Sequence, residues 1–341
     1  GEKTRNFLMS DVCRGKNNSN RSRRLPSNGL RDSLILHASK QYYIENLTVK
    51  EIAAELGLNR WQVSKLLKEG LEKEIVNINF SPKLERNLHI EAAIQKKYKL
   101  QDAIVITCGN PELELNVEEN VMKAAADYLT NLKLDGQIFG VSWGRTIMKI
   151  AEYLPKNWAV NLNIVFINGS SVFQQTKGSG FAIADQFAKK GSDGIHHLPV
   201  PAILGSASTK YALEQDDSIN RVLELGAKAS TICFGLGGIE EKSVLVSSGY
   251  LSLENFNKLA QSGAVGDILG RFVDKRGKIV DENLNRRTLG IDLEKIKKKQ
   301  RSIGVCTGSE KHKILQAALS AGYVNVIITD ELSAKFALDT S

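Results

Sequence analysis

A short polar loop in the middle of the chain contains the residues best suited to binding an anion. The apolar run QIFGV (137–141) leads into SWGRT (142–146), at which an amphipathic segment begins. Two hydroxyl groups, a glycine and Arg145 would then lie at a helix start, where free N–H groups and a partial positive charge favour a phosphate. The alternative is that the glycine simply ends a strand.

Three further loops have a similar composition, because each follows an apolar segment and contains glycine with small polar residues or a cation. They are Asn168-Gly169-Ser170-Ser171, Gly235-Leu236-Gly237-Gly238 and Thr307-Gly308-Ser309-Glu310-Lys311. Ligands of open α/β sheets bind beyond the carboxyl ends of the strands, so several such loops on one edge favour a small anionic ligand. None matches G-x-G-x-x-G or G-x-x-x-x-G-K-[ST], and a dinucleotide or ATP site is not supported.

Asp267 lies in the apolar, glycine-flanked run VGDILGRF (265–272), where a carboxylate is unfavourable unless it is hydrogen-bonded or paired. It could accept hydrogen bonds from sugar hydroxyl groups. Equally, it could cap a turn or pair with Arg271.

Candidates for catalysis or metal binding are sparse. His196 and His197 lack a partner at i,i+4 and a nearby carboxylate cluster, and there is no nucleophile elbow. The four cysteines form no C-x-x-C pair, and those closing β-like runs are interpreted as buried small side chains: Cys108, Cys233 and Cys306. We therefore predict no catalytic residue, no metal and no cofactor.

The stretch LTVKEIAAELGLNRWQVSKLLKE (47–69) has the pattern of a helix-turn-helix. Thr48 and Glu51 form a capping box at the start of the first helix. Gly57 allows a tight turn, and Asn59 can cap a second helix over about residues 60–69. Residues expected to face outward from the second helix are Arg60, Gln62, Ser64, Lys65 and Lys68.

Such side chains donate hydrogen bonds to base edges or phosphates, and the major groove of DNA admits the helix that carries them. The predicted DNA-binding residues are Thr48, Asn59, Arg60, Gln62, Ser64, Lys65 and Lys68. The alternatives are an ordinary helical hairpin with a solvated polar face, or a helix-turn-helix used only for protein contacts.

Flanking segments complete a winged helix-turn-helix. A first helix is predicted from about Asp32 to Glu45, with its buried face formed by Leu34, Ile35, Ala38, Tyr42 and Tyr43. A β wing is predicted within residues 71–80, from Ile75, Ile78 and Phe80. A linking helix over about residues 84–98 would follow.

Short apolar runs alternate with amphipathic helices beyond residue 102. The predicted strands are AIVIT (103–107), QIFGV (137–141), NIVFI (163–167), TICF (231–234), SIGVC (302–306) and VNVII (324–328). This alternation is typical of a parallel sheet covered on both faces. The predicted fold class is α/β, with an N-terminal winged helix-turn-helix followed by a Rossmann-like domain.

Length and composition agree with a two-domain globular protein, since 42% of the 341 residues are apolar and 25% are charged. No stretch approaches 18 uninterrupted apolar residues, which predicts a cytoplasmic protein without a membrane segment.

The net charge is +8, and residues 1–30 contain seven Lys or Arg against two acids. We predict a flexible basic arm (1–30), a DNA-binding domain (31–82) and an effector and oligomerisation domain (83–341). The arm could attract phosphates, or it could be a solvated terminus or vector remnant.

Together these residues resemble the SorC family of bacterial sugar-responsive transcriptional regulators, which is related to the central glycolytic gene and deoxyribonucleoside regulators. The most specific segments are GVSWGRT (140–146), AVGDILGRF (264–272) and GSEKHKILQAALSAGYVNVIITDELSA (308–334). The resemblance implies an effector domain of the phosphosugar isomerase and deaminase type. It also implies a homotetramer or dimer of dimers on operator double-stranded DNA, released or rearranged by a phosphorylated sugar.

The resemblance also assigns roles to individual residues. The phosphate would be held by Ser142, Gly144, Arg145 and Thr146, with Lys311 adding charge, and Asp267 would face the sugar. The same pocket would be lined by Asn168, Gly169 and Ser170, in a loop that varies in the family. Gly235 and Gly237 belong to the expected effector-binding set. The rival interpretation is a sugar-phosphate isomerase or deaminase with an added helical module.

Overall fold

The computed structural model describes residues 28–77, 85–109, 116–170, 179–192, 194–240 and 243–339. The chain divides into two compact units, residues 1–80 and residues 81–341. None of the helices within the described ranges is both long and apolar enough to cross a membrane.

The first unit contains three helices: α1 (Asn28–Tyr43), α2 (Val49–Leu56) and α3 (Arg60–Glu72). Capping boxes fix the starts of α2 and α3, since Thr48 accepts from Glu51 N–H and Asn59 accepts from Gln62 N–H. Gly57 ends α2 in the left-handed conformation, at φ 64°. The core of the unit is formed by Ile35, Ala38, Ile52, Ala53, Val63, Leu66 and Leu67. This is the predicted helix-turn-helix.

Two details of this unit differ from the predictions. Tyr42 and Tyr43 were expected in the core, but each is 39% exposed. The second helix, predicted over about residues 60–69, continues to Glu72 as α3. A Cβ at Gly70 would lie 3.1 Å from both Ile35 Cγ2 and Ser39 Oγ, so this glycine lets α3 pack closely on α1. Of the predicted wing, Ile75 lies in a bend, while Ile78 and Phe80 lie outside the described residues.

The second unit is built on a mainly parallel sheet. Its strands are β1 (Asp102–Ile106), β2 (Ile138–Val141), β3 (Asn163–Phe166), β4 (Gly194–His196), β5 (Thr231–Gly238), β6 (Gly266–Ile268), β7 (Arg271–Val273), β8 (Arg301–Val305) and β9 (Val326–Asp330). The order is β1-β9-β8-β5-β2-β3-β4, and all these pairs are parallel. The hairpin β6–β7 pairs antiparallel with the end of β5 and was not predicted.

The helices of this unit are α4 (Leu88–Tyr98), α5 (Val117–Asn131), α6 (Arg145–Tyr153), α7 (Gly180–Lys189), α8 (Ala207–Glu214), α9 (Asp217–Lys228), α10 (Val244–Ser247), α11 (Leu253–Gln261), α12 (Glu282–Arg286), α13 (Leu293–Ile296), α14 (His312–Ser320) and α15 (Glu331–Asp339). A short 3-10 turn, Ser309–Lys311, precedes α14. Alternate residues of β3 enter different cores: Ile164 and Phe166 join one cluster, Val165 the other. The predicted sheet covered on both faces is therefore confirmed.

The cysteines that were expected to be small core side chains differ in their exposure. Cys233 and Cys306 are buried, and burial raises the pKa of each thiol to about 12. Cys108 is only partly buried.

Candidate functional site

One cleft lies at the carboxyl ends of β2 and β5, which are neighbours in the sheet. Nine of the eleven residues expected to bind the effector line it: Ser142, Gly144, Arg145, Thr146, Asn168, Gly235, Gly237, Asp267 and Lys311. Further lining residues include Trp143, Leu236, Gly238, Glu240 and Leu269. Strand order explains the convergence, because residues far apart in sequence reach one edge of the sheet.

The loop after β2 presents the start of α6 to the cleft. Ser142 N–H donates to Cys233 C=O at 3.2 Å, which continues the β2–β5 pairing into the loop. Gly144 is the N-cap residue, at φ 126°, and no side chain caps α6. Backbone donors of the first turn of α6 are thus not occupied by a capping side chain, and the helix dipole adds partial positive charge there.

The strand β5 passes close to this helix start. A Cβ at Gly235 would lie 3.1 Å from Thr146 Cβ and Oγ1, so the glycine permits this approach. Glycine at this position has a packing role in addition to any contact with a ligand.

Lys311 reaches the cleft from the turn after β8. Asp330 Oδ2 accepts from Gly308 N–H at 3.0 Å and from Ser333 Oγ at 2.7 Å, which fixes the base of this turn. Burial alone would raise the pKa of Asp330, but hydrogen bonds from Ser333 and Gly308 outweigh it and lower the pKa. An ionised Asp330 therefore anchors the turn that carries Lys311.

Asp267 lies on β6, directly opposite Gly237 of β5. Its Oδ2 accepts from Gly270 N–H at 2.9 Å, so the carboxyl group caps the turn between β6 and β7. Burial raises the pKa of Asp267, against smaller lowering effects of Gly270 N–H and Lys311. Of the three roles left open by the sequence, turn capping is thus observed.

Pairing of Asp267 with Arg271 is not observed. The Arg271 guanidinium is buried and donates to the carbonyl groups of Asn285, Thr288, Gly290 and Ile291 and to Asp292 Oδ1. It therefore organises the segment after α12 and does not contribute charge to the cleft.

The loop after β3 is only partly in the cleft. Asn168 lines it, is 4% exposed and pairs through its backbone with Gly290. Its Oδ1 is buried and has no hydrogen-bond partner among the described residues.

Two residues of this loop that were expected in the pocket do not line the cleft. Gly169 N–H donates to Leu289 C=O, and a Cβ at Gly169 would lie 2.7 Å from Val200 C=O. Ser170 is buried beside Gly180. The chain turns beneath the segment after β4, and this turn carries both residues away from the cleft.

The neighbouring histidines are packing residues. The His197 ring stacks on Phe166 and Phe181, with ring centroids 4.5 Å apart in each case, and burial lowers the pKa of His197. His196 Nε2 lies 3.1 Å from Asn163 Oδ1. Over the described ranges, no group of three or more His, Cys, Asp or Glu side chains is placed to hold a metal ion.

Glu240 also lines the cleft, although no sequence pattern predicted it there. Its Oε1 lies 2.6 Å from Lys311 Nζ and 3.9 Å from Arg145 Nη2. Nothing local in the sequence marks this glutamate, which simply follows the glycine-rich end of β5. Its contacts depend on where β5 ends relative to two other loops.

The outward face of α3 carries most of the predicted DNA-binding residues. Arg60, Ser64, Lys65 and Lys68 are exposed. Thr48 and Asn59 are also exposed but serve as helix caps.

Gln62 was expected to face outward, and this prediction is wrong. It is 8% exposed, and its Oε1 accepts from Asn59 N–H at 3.0 Å, because it is the third residue of a capping box. Trp61, which no sequence pattern singled out, is 69% exposed, and Lys65 Nζ lies 5.3 Å from its ring centroid.

Comparison with known proteins identifies a family and several relatives of this chain. The family "Putative sugar-binding domain" (Sugar-bind) matches residues 82–339. The chain is 30% identical over 305 residues to the deoxyribonucleoside regulator of Bacillus subtilis (strain 168), covering 89% of this chain and 97% of that protein. It is 25% identical over 312 residues to the transcriptional regulator LsrR of Enterobacter sp. (strain 638), covering 90% and 93% respectively.

A solved structure of a similar protein supports the same family relationship. The full-length sorbitol operon regulator SorC from Klebsiella pneumoniae matches with a TM-score of 0.66 and 26% identity, covering 90% of this chain and 99% of that one. All three of these relatives are named as regulators, one of them explicitly as a transcriptional regulator, and none of the three is named as an enzyme. The chain therefore belongs to the SorC-type, sugar-binding family of transcriptional regulators.

Proposed function

We propose that this protein is a DNA-binding regulator of a bacterial carbohydrate-utilisation operon, controlled by a phosphorylated sugar bound in the cleft. One observation carries the proposal: Arg145, Lys311 and the start of α6 meet in the same cleft. Two cations and a set of uncapped helix N–H groups form a site that suits a phosphate.

The rest of the cleft suits a sugar. The Asp267 carboxyl group and the Asn168 amide can form hydrogen bonds with hydroxyl groups, and both residues line the cleft. Trp143 and Leu269 supply apolar surface against which a sugar ring can pack. Polar groups at a few places in a partly apolar pocket are the usual arrangement for orienting a small ligand.

The DNA-binding surface is assigned to α3. Arg60 and Lys65 are exposed near its N-terminal half, where a recognition helix contacts base edges. Lys68 lies one turn further on and suits a phosphate contact. The exposed ring of Trp61 extends the same surface with an apolar group that can contact a thymine methyl.

We assign DNA binding to residues 31–82, and effector binding and oligomerisation to residues 83–341. The protein acts as a homotetramer or dimer of dimers. A ligand shifts the balance between two oligomeric arrangements only by its differential affinity for them. Helix-turn-helix units must match the spacing of the operator half-sites, so such a shift changes DNA affinity.

A thermal-shift screen tests the effector assignment, with pentoses, hexoses and hexitols in free and phosphorylated form. A ligand that binds the folded state raises the unfolding midpoint. We expect a rise with a phosphorylated sugar that is larger than with the same sugar unphosphorylated. The rise should be lost in Arg145→Ala and Lys311→Ala and retained in Lys258→Ala, an exposed cation on α11. Equal shifts with the free and phosphorylated forms would contradict the proposed phosphate site.

A further inference from the structure

We infer that Glu240 competes with anionic ligands for the two cations of the cleft, and that this competition excludes simple anions such as inorganic phosphate. The inference rests on the proposed phosphate site at Arg145 and Lys311. The inference identifies Glu240 as a specificity-determining residue, because its carboxylate would weaken the binding of simple anions at that site.

The ion pairs of Glu240 involve the groups that a phosphate would use. Glu240 Oε1 lies 2.6 Å from Lys311 Nζ, and the Lys311 side chain is 16% exposed. The same oxygen is 3.9 Å from Arg145 Nη2. One carboxylate oxygen thus bridges cations from two separate loops. A phosphate can contact both cations at full strength only if this carboxylate moves or shares them.

The backbone around Glu240 is held in place. A Cβ at Gly238 would lie 3.0 Å from the carbonyl carbon of Glu310 and 3.3 Å from Lys311 Cδ, so β5 ends directly against the turn that carries Lys311. Ile239 packs against a core cluster, and Glu240 C=O accepts from Ser243 N–H at 3.1 Å. Only the side chain of Glu240 therefore has to rotate for a ligand to reach Lys311.

The charge balance explains the selectivity. Glu240 cancels one of the two positive charges supplied by Arg145 and Lys311. Inorganic phosphate has to displace this carboxylate with only the cations and the N–H groups of α6 as contacts, and it has no sugar hydroxyl groups to offset the loss. A phosphorylated sugar offers the same phosphate plus hydroxyl groups within reach of Asp267 and Asn168, so its total contacts can exceed those of the carboxylate.

Titration calorimetry with inorganic phosphate, and separately with the phosphorylated sugar found in the screen, tests the inference. Glu240→Gln keeps the shape of the side chain and removes its charge. We expect it to bind inorganic phosphate about tenfold more tightly than the unchanged protein, by the size of charge-assisted contacts. Glu240→Asp, which keeps the charge, and Glu254→Gln, which removes an exposed carboxylate on α11, should stay near the original affinity.

The double variant Glu240→Gln/Lys311→Ala tests whether Glu240 weakens phosphate binding through its ion pair with Lys311. If Glu240 acts through Lys311, the gain in phosphate affinity should largely disappear in this variant. Circular dichroism and gel filtration establish that each variant is folded.

The outcomes separate this inference from the function on which it rests. If the unchanged protein binds a phosphorylated sugar but Glu240→Gln leaves phosphate affinity unchanged or weaker, Glu240 is not a competitor and the inference is wrong. If neither protein binds any phosphorylated sugar or inorganic phosphate, the proposed phosphate site is wrong and the inference falls with it.

Discussion

Gly237 and Asp267 face each other across the β5–β6 pair, and the Asp267 carboxyl group lies where a side chain at Gly237 would begin. The absence of a side chain on one strand thus makes room for a carboxyl group on the next. This relationship places an acidic group in the wall of the cleft, and it links the glycine-rich end of β5 to the site.

Gly237→Ala should disturb both the fold and the site. Because the new Cβ would collide with Asp267 Oδ1, the hairpin must shift, and we expect a loss of about 1–3 kcal/mol in the free energy of unfolding, as for overpacking. Effector affinity should fall as well. Urea unfolding and calorimetry measure the two effects. Gly205→Ala is the control, since a Cβ there meets no atom within 4 Å, and an equal loss in both variants would contradict the argument.

Asp267→Asn should change how stability depends on pH. The pKa of Asp267 is raised by burial, so the folded chain binds its proton more strongly than the unfolded chain. Its contribution to the free energy of unfolding therefore decreases as the pH rises from about 3.9, the ordinary carboxyl pKa, to the raised value. Asn cannot ionise, and the variant should gain stability relative to the unchanged protein over this window.

Urea unfolding at a series of pH values, followed by tryptophan fluorescence to which the buried Trp158 contributes, measures this difference. Asp185→Asn on α7 is the control for losing one exposed carboxylate. A stability difference between Asp267→Asn and the unchanged protein that stays constant with pH, or that shifts in the opposite direction, would count against a raised pKa.

Arg60→Ala and Lys65→Ala should weaken binding to operator DNA and leave effector affinity intact. Each removes an exposed cation from α3, so we expect a loss of about tenfold in affinity and a salt slope smaller by about one per cation that contacts a phosphate. Fluorescence anisotropy over a range of salt, on a duplex selected from a random library, measures both. Lys258→Ala on α11 is the matched control. Parallel losses of DNA and effector affinity would show that the variants act through folding.

Thr48→Ala should destabilise the N-terminal unit, because Thr48 is committed to a cap. Its hydroxyl accepts from Glu51 N–H at 3.3 Å, and its own N–H donates to Glu51 Oε2 at 2.8 Å. We expect the unfolding midpoint of this unit to fall by a few degrees. Thr48→Ser, which keeps the hydroxyl, should restore both stability and DNA binding. If Thr48→Ala weakens DNA binding with no change in the midpoint, Thr48 acts as a DNA contact instead.

Arg271→Leu should be strongly destabilising. The guanidinium donates hydrogen bonds to four carbonyl groups and to Asp292. Its removal leaves buried acceptors without donors, and we expect the free energy of unfolding to fall by about 3 kcal/mol or more. Arg271→Lys should recover only part of the loss, since an ammonium cannot reach the same set of carbonyls. Chemical denaturation measures both, and the exposed Arg276→Leu is the control. A neutral effect of Arg271→Leu would show that water replaces the guanidinium.

The sequence alone determined the elements whose signals are local. Capping residues such as Thr48 and Asn59 and the turn at Gly57 act within a few residues, so the helix-turn-helix could be predicted. Short continuous apolar runs, separated by amphipathic segments of period 3.6, likewise predicted six strands of the sheet. The loops after β2, β3, β5 and β8 were predicted to bind a ligand, because composition at strand ends is also a local property.

Tertiary structure alone decided which of these loops meet, and with which side chains. Strand order places β5 beside β2 and against the turn of Lys311, which brings Glu240 between two cations. The same packing turns Gly169 and Ser170 out of the cleft. These outcomes depend on contacts between residues that are distant in sequence, and no pattern within a short segment encodes such contacts.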